Sequence, residues 1–231
     1  MGTSSARRGP TTRLWRQAKA AATRYLAPES SGAVDAREVA ARYVAALEEG
    51  GGPGPGGALA SFRLTRMVAQ SLGAFSCQAN SSDWLTVLES WGLQDLAGEG
   101  PMALAQSLSA ALGPTGGGLE PAVARAALVG VLLDLSPPPE AAPLVRRFLA
   151  RAFHRRLALD LGESLEAAAP GFSPLQQGLN ELAAWIDRAM ETGMMEPPPL
   201  TPEHWLGLPG WTWATGRLEA LLKNLRARHL P

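Results

Sequence analysis

Leucine and alanine dominate the apolar residues of this 231-residue chain, whereas the β-branched residues that favour strands are scarce. The sequence contains 35 Leu but only nine Val and a single Ile, Ile186. Leu and Ala have high helix propensity, while Val and Ile are the residues that pack best in sheets. With 46% hydrophobic and 18% charged residues, the chain has enough apolar material for a core. The composition therefore predicts an all-α fold, a bundle-like domain of many helices.

Apolar periodicity and capping residues divide the chain into helical segments. Asp35 is the best-marked helix start, because Glu38 three residues later completes a capping box and Val34 can pack against Val39. The predicted helices cover about 12–26, 35–49, 59–75, 83–91, 101–112, 121–135, 140–161 and 174–190, and a last helix carries Leu218 to Leu225.

The same features predict five regions along the chain. A flexible N-terminal arm (1–12) precedes N-terminal helices (13–49), a Gly/Pro linker (50–57), a main helical domain (58–193) and a Trp/Pro-rich C-terminal segment (194–231). The linker is rich in residues that disfavour helix and central strand, and it lacks the Lys-Ser/Thr ending of a phosphate-binding loop. We therefore expect a connection there and no nucleotide site.

Basic residues are unevenly placed, although the formal net charge is +0. The first 26 residues contain no acid and six basic residues, Arg7, Arg8, Arg13, Arg16, Lys19 and Arg24. A second basic cluster, in the segment predicted as helix 140–161, comprises Arg146, Arg147, Arg151, Arg155 and Arg156. Several guanidiniums on one helix can bind phosphates or an acidic partner, or can simply be a solvated face. Both interpretations of the cluster stay open.

Three of the seven Trp residues lie close together near the C-terminus, at Trp205, Trp211 and Trp213. One interpretation is a packed cap on the helical body. The alternative is a partner-binding motif, since exposed tryptophans are favoured anchors of interfaces.

The chain carries no recognisable constellation for catalysis or metal binding. His154, His204 and His229 lack the close spacing of a zinc site, and the single Cys77 lies in no nucleophile signature. A nucleophile elbow and a dinucleotide fingerprint are also missing from the sequence. The apolar run 126–133 is far shorter than the ~20 residues of a membrane helix. We expect a non-enzymatic cytoplasmic protein with no cofactor, no metal and no membrane contact.

The first ten residues are typical of a presented N-terminus. Gly2 follows Met1, so removal of Met1 would leave a free glycine amine on the small Thr3-Ser4-Ser5 segment, a good acceptor for conjugation. A myristoylation signal would require Ser or Thr at the position of Ala6. An Arg-rich start without acids is also typical of organellar transit peptides. That alternative stays open.

Several stretches of the sequence match a known family in their residues. They are Met1 to Ser5 with Gly9-Pro10, Ala41 to Leu47 before the Gly-rich segment, Leu72 to Phe75, and the sequence from Leu93 through the helix near Ala122 to Leu135. Together these stretches resemble the B component of Qat antiphage defence systems. The resemblance covers roughly residues 1–135, and its motifs are short and glycine-rich. The arm is shorter than in the family, because Gly9-Pro10 is followed directly by Thr11-Thr12 and a helical pattern.

The resemblance implies a non-enzymatic bacterial protein encoded beside an ATPase (QatA-like), a TatD-like nuclease and a QueC-like modifying enzyme (QatC-like). This last partner resembles the 7-cyano-7-deazaguanine synthase of queuosine biosynthesis and would attach a deazaguanine to Gly2. Thr3, Ser4 and Ser5 would then form the segment that the enzyme recognises. The residues alone support a second hypothesis, a basic helical adaptor that holds nucleic acid for a nuclease partner.

Overall fold

The computed structural model describes residues 12–27, 34–51, 55–96, 100–133, 140–193 and 200–227. Within these ranges all regular structure is helical, which confirms the all-α prediction. The α-helices of the described chain are α1 (Arg13–Leu26), α2 (Ala36–Gly51), α3 (Pro55–Ala60), α4 (Arg63–Ser81), α5 (Trp84–Ser90), α6 (Pro101–Leu112), α7 (Leu119–Leu132), α8 (Ala141–Ala168), α9 (Phe172–Glu191), α10 (Pro202–Leu206) and α11 (Leu208–Arg226). A 3-10 turn, Gln94–Leu96, follows α5.

Side-chain caps mark several of the helix starts. The Asp35 carboxylate accepts a hydrogen bond from the Glu38 backbone N–H at 2.8 Å, so the predicted cap of α2 is confirmed. The Glu38 carboxylate, however, pairs with Arg42 at 2.6 Å, one turn along the helix. An Arg at i+4 offers Glu38 a charged donor, a stronger partner than the backbone N–H of a capping box.

The 28-residue α8 is the central helix of the fold. It packs against α1, α4, α7 and α9, with a smaller contact to α11. The sequence explains this position, because its apolar side chains do not form one narrow stripe. Buried residues occur on several sides of the helix: Leu144, Val145, Phe148, Leu149, Ala152, Phe153 and Leu157. A helix that is apolar on several sides must be surrounded to exclude water.

Four aromatic rings in a row join the helices that meet at α8. Tyr43 of α2 contacts Trp15 of α1 edge-to-face, with ring centroids 5.8 Å apart. It also contacts Phe153 of α8 edge-to-face at 5.7 Å. Phe153 in turn stacks on Phe62, between α3 and α4, at 5.8 Å. Edge-to-face and stacked geometries add favourable electrostatics to the burial of these large apolar rings. The row therefore fixes α1, α2, α8 and the α3–α4 corner to one another.

The described part of the predicted 50–57 linker is largely helical, so that prediction is wrong there. α2 continues through Gly51, and α3 begins at Pro55. Pro is well tolerated at the first position of a helix, where its missing N–H would have no partner. The chain then turns at Ser61 and Phe62, so the predicted helix 59–75 is divided into α3 and α4. Burial of Phe62 against Phe153 fixes this turn.

One hydrophobic core includes buried residues from α1 to α11. The predicted N-terminal helices, main domain and C-terminal segment therefore share a core and are not separate units in the described chain. The last helix, α11, starts at Leu208 and contains the predicted helical residues Leu218 to Leu225. Near its end, Arg226 forms a 2.8 Å ion pair with Glu48 of α2.

The C-terminal helices are held to α4 by a close approach at Gly73. The Trp205 ring is buried and lies where a side chain at Gly73 would be, since an added Cβ would come within 2.3 Å of Cε3 of Trp205. Beside it, the Gln70 side-chain amide donates to the Trp205 carbonyl at 3.1 Å and to the Gly207 carbonyl at 2.8 Å. A Gly at position 73 is therefore required for α10 to approach α4 this closely.

We expect Gly73→Ala to lower the free energy of unfolding by about 1–3 kcal/mol, because the added methyl must displace the Trp205 ring. The matched control is Gly162→Ala in α8, where an added Cβ meets nothing within 4 Å. This control should raise the free energy of unfolding by about 0.5–1 kcal/mol through helix propensity. Urea unfolding followed by circular dichroism compares the two. Equal stability of Gly73→Ala and the unmodified protein would contradict this packing.

Candidate functional site

The predicted acceptor Gly2 and the recognition residues Thr3, Ser4 and Ser5 lie outside the described residues. The point to which they are joined is well defined. Thr12 caps α1, and its hydroxyl donates a hydrogen bond to Glu49 at the end of α2. The Leu14 backbone N–H donates to the same carboxylate at 3.2 Å. Ten peptide units separate Gly2 from Thr12, so the amine must lie within roughly 36 Å of this corner.

The basic helix α1 belongs to the folded body. Trp15 is only 5% exposed and packs on Tyr43, and Ala18, Ala21 and Ala22 are fully buried. Arg13, Arg16 and Arg24 are exposed on its other side. Removal of residues 1–27 as a presequence would therefore take away a helix that contributes four buried side chains to the core.

The predicted arginine cluster on α8 divides into an internal residue and a surface group. Arg156 is internal: its Nε donates to Asp160 Oδ2 at 2.8 Å, and both side chains are less than a fifth exposed. The same oxygen accepts the hydroxyl of the buried Tyr43 at 2.8 Å. Burial opposes the charge of Arg156, but the neighbouring Tyr43 and Asp160 outweigh it and raise the pKa of Arg156. Arg156 is thus a structural residue at the α2–α8 contact.

Three of the other arginines line a surface groove between α8 and α9. We define this arginine groove by Pro143, Arg146, Arg147, Ala150 and Arg151 of α8 and by Asp187, Met190 and Glu191 of α9. It has a volume of about 460 Å³. Arg155 is exposed on the same helix but does not line the groove. Of the predicted cluster, Arg155 and Arg156 are therefore not part of the groove.

The charges of the groove interact across the helices. Partial burial raises the pKa of Asp187, an effect that Arg151 and Arg147 oppose and Glu191 reinforces. On α11, burial and the nearby charge of Arg146 lower the pKa of Arg217. One rim of the groove is thus cationic and continues towards α11, and the other rim carries two carboxylates.

Asp187, Met190 and Glu191 of the groove were not predicted from the sequence, because these residues belong to α9 and not to α8. One signal could have found Asp187 and Glu191. α8 and α9 are separated only by residues 169–171, and helices joined by so short a connection run back along each other. Charged residues near the start of α8 are then expected to face those near the end of α9. Nothing local to Arg217 indicates its position beside Arg146.

The tryptophans differ in burial. Trp205 is a core residue, 2% exposed, and contacts Trp213 edge-to-face at 5.2 Å. Trp213 is half-buried against the core. Trp211 is also half-buried, and the Arg66 guanidinium lies 4.3 Å from its ring centroid. This cation–π contact joins α11 to α4. Trp205 is therefore not available as a surface anchor.

The residues considered earlier for metal binding and nucleophilic chemistry lie apart. Half-buried His154 is on α8, where burial lowers its pKa, and exposed His204 is on α10. His229 is outside the described residues. Cys77 on α4 is half-buried with its thiol donating to the Leu200 carbonyl, and burial raises its pKa. Within the described ranges, no three His, Cys, Asp or Glu side chains converge as a metal site would require.

Comparisons of the chain with models of protein families, with curated proteins and with solved structures found no match. Among the helices that the structure describes, none combines the length and apolar character needed to cross a bilayer.

We expect Arg156→Ala to lower the free energy of unfolding by about 1–3 kcal/mol, because it leaves the Asp160 carboxylate without its charged partner in a largely buried site. The control is Arg155→Ala on the same helix, whose exposed side chain should contribute less than about 0.5 kcal/mol. Denaturant unfolding of both variants measures the difference. Equal losses would show that Arg156 is not the internal member of the cluster.

Proposed function

We propose that this protein is a non-enzymatic component of a Qat-type antiphage defence system, conjugated at Gly2 to a 7-deazaguanine by a QueC-like partner enzyme. The observation that carries the proposal is the resemblance over residues 1–135, which begins with the Met1-Gly2-Thr3-Ser4-Ser5 segment itself. The protein acts in the bacterial cytoplasm, beside a QatA-like ATPase and a TatD-like nuclease. Gly2 is the acceptor, and Thr3, Ser4 and Ser5 are its recognition segment.

The glycine amine suits this role chemically. The attacking species is the unprotonated amine, and an α-amino group with a pKa of about 7.7–8.0 supplies a useful fraction of it near neutral pH. Gly2 carries no side chain that would hinder attack, and small residues follow it. The partner enzyme supplies the modifying group and its activation.

The position of Thr12 supports separate roles for the N-terminal arm and the helical body. The hydrogen bonds of Thr12 and Leu14 to Glu49 fix the start of α1 at the end of α2. An enzyme that acts on Gly2 must therefore place its active site within roughly 36 Å of this corner. We assign the docking of the partner to the helical body near the corner, and insertion into the active site to residues 2–5.

Intact and N-terminal peptide mass spectrometry of the untagged protein tests the proposal. The protein is isolated from cells that express its neighbouring genes, with and without the gene for the QueC-like enzyme. We expect an added mass on Gly2 only when that enzyme is present. An unmodified Gly2 in both samples would contradict the proposal, and a mature start near residues 27–33 would support presequence cleavage instead.

Two substitutions at Gly2 separate the amine from the rest of the arm. Gly2→Pro replaces the primary amine by a secondary ring amine and should abolish both the added mass and antiphage protection in the native operon. Gly2→Ala keeps a primary amine behind a small side chain, so it should retain part of both. Full antiphage protection by the Gly2→Pro variant would contradict the proposal.

A second candidate function is an adaptor that holds nucleic acid for a nuclease partner. The observation that favours it is the placement of Arg147, Arg151 and Arg155 at every fourth position along α8, so that they share one side of the helix. Guanidiniums aligned in this way can contact successive phosphates. Arg156 is not part of this line, because Asp160 and Tyr43 engage it inside the fold.

For that adaptor, binding of a DNA duplex should weaken steeply with salt, with a slope of log K against log salt near −0.9 for each phosphate contact. Joint replacement of Arg147 and Arg155 by Ala should reduce the magnitude of this slope by about two. Fluorescence anisotropy across a salt series measures it. Replacement of Arg13 and Arg16 on α1 serves as a control of equal charge, and an equal loss of slope there would rule out a specific role for α8.

A further inference from the structure

The arginine groove carries an inference that does not depend on conjugation at Gly2 and that competes with the nucleic-acid adaptor for Arg147 and Arg151. Its floor includes the buried side chains Ala150 and Met190, which give it an apolar base. Guanidiniums of α8 line one side, and the carboxylates Asp187 and Glu191 of α9 line the other. One side of the groove is therefore positively charged and the other negatively charged, and the base between them is apolar. Small-molecule sites combine an apolar lining with a few polar groups in this way.

Two of the three arginines that line the groove, Arg146 and Arg147, form no ion pair with a carboxylate of the described chain. The same holds for Arg217 of α11 within the described residues. The Arg151 side chain packs on Gly130 of α7. A Cβ added at Gly130 would lie 3.0 Å from a guanidinium nitrogen of Arg151. This packing holds Arg151 at the edge of the groove. The floor and the surrounding helices therefore position several guanidiniums towards one volume.

Like charges meet at the α11 end of this cationic side. The charge of Arg146 acts on Arg217, and burial adds to the cost of holding the charge of Arg217 there. A small anion bound by Arg146 and Arg147, which line the groove, would reduce this repulsion. A phosphate suits the position, because guanidinium offers two parallel N–H donors that match two phosphate oxygens.

The carboxylate side and the size of the groove limit what else the ligand can be. Asp187 and Glu191 would repel a continuous polyanion that passed along the groove. They accept hydrogen bonds from hydroxyl or amino groups instead. A volume of about 460 Å³ falls in the range of small-molecule sites, roughly 300–1,000 Å³. The ligand must therefore be compact, anionic at one end and rich in donors at the other.

We infer that the arginine groove binds a small phosphate monoester of mononucleotide size. Its phosphate contacts Arg146 and Arg147, and the hydroxyl or amino groups of its other end donate to Asp187 and Glu191. The apolar floor contacts the flat face of the base or sugar. A duplex nucleic acid does not fit this arrangement of charges.

Isothermal titration calorimetry on the full-length protein tests the inference with adenosine 5′-monophosphate, guanosine 5′-monophosphate, inorganic phosphate and adenosine. We expect at least one monophosphate to bind, inorganic phosphate to bind more weakly, and adenosine not to bind. Arg147→Ala, at an exposed position that folding does not require, should weaken monophosphate binding about tenfold, the loss of a charge-assisted hydrogen bond. Arg155→Ala is the matched control and should leave the affinity unchanged.

Asp187→Asn distinguishes the two ends of the site. This substitution should lower the affinity for the monophosphate by a few fold. It should leave the affinity for inorganic phosphate unchanged or raise it, because it removes a negative charge but keeps one acceptor oxygen. Three results would overturn the inference. The first is no heat of binding with either monophosphate, and the second is an equal loss of affinity in Arg155→Ala. The third is displacement of the monophosphate only by a DNA duplex whose binding requires Arg147, Arg151 and Arg155 alike. The last result would favour the nucleic-acid adaptor.

Discussion

Burial of α8 on several sides is the constraint on which the rest of the structure depends. A helix of 28 residues is about 42 Å long, and only helices packed along most of this length can cover it. α1, α4, α7 and α9 do so, and the aromatic row through Tyr43 and Phe153 aligns α2 and the α3–α4 corner with them. Charged residues of α8 must then lie in the gaps between these neighbours.

This constraint explains why the arginines of one helix have different roles. Arg156 faces α2, where Asp160 and the Tyr43 hydroxyl compensate for its burial. Arg146, Arg147 and Arg151 face the gap beside α9, which stays open as the arginine groove. Arg155 points to solvent. An arginine-rich composition supplies the charges, and the packing of the neighbouring helices decides which of them are available to a ligand.

Local features of the sequence predicted local features of the fold. Asp35 was predicted as a cap and is one, because a cap needs only residues within one turn. The predicted segments 83–91 and 101–112 likewise match α5, which Asp83 caps, and α6, which Pro101 starts. The Gly/Pro segment misled the prediction, since packing of α3 against α2 compensates for its low helix propensity. Neither Gly73 nor Tyr43 has a neighbour in sequence that reveals its role, because Trp205 and Asp160 lie on distant helices. The α9 side of the groove could not be predicted for the same reason.

The end of α2 is a meeting point of the two ends of the described chain. Its consecutive residues Glu48 and Glu49 bind Arg226 near the end of α11 and Thr12 before α1, respectively. A bulky fusion placed after α11 would therefore crowd the same corner from which the arm departs, and it could block an approaching enzyme without altering the arm. Conversely, a short peptide that joins the two ends would close the chain into a ring with little change to the core, and new termini could then be opened at a surface turn far from this corner.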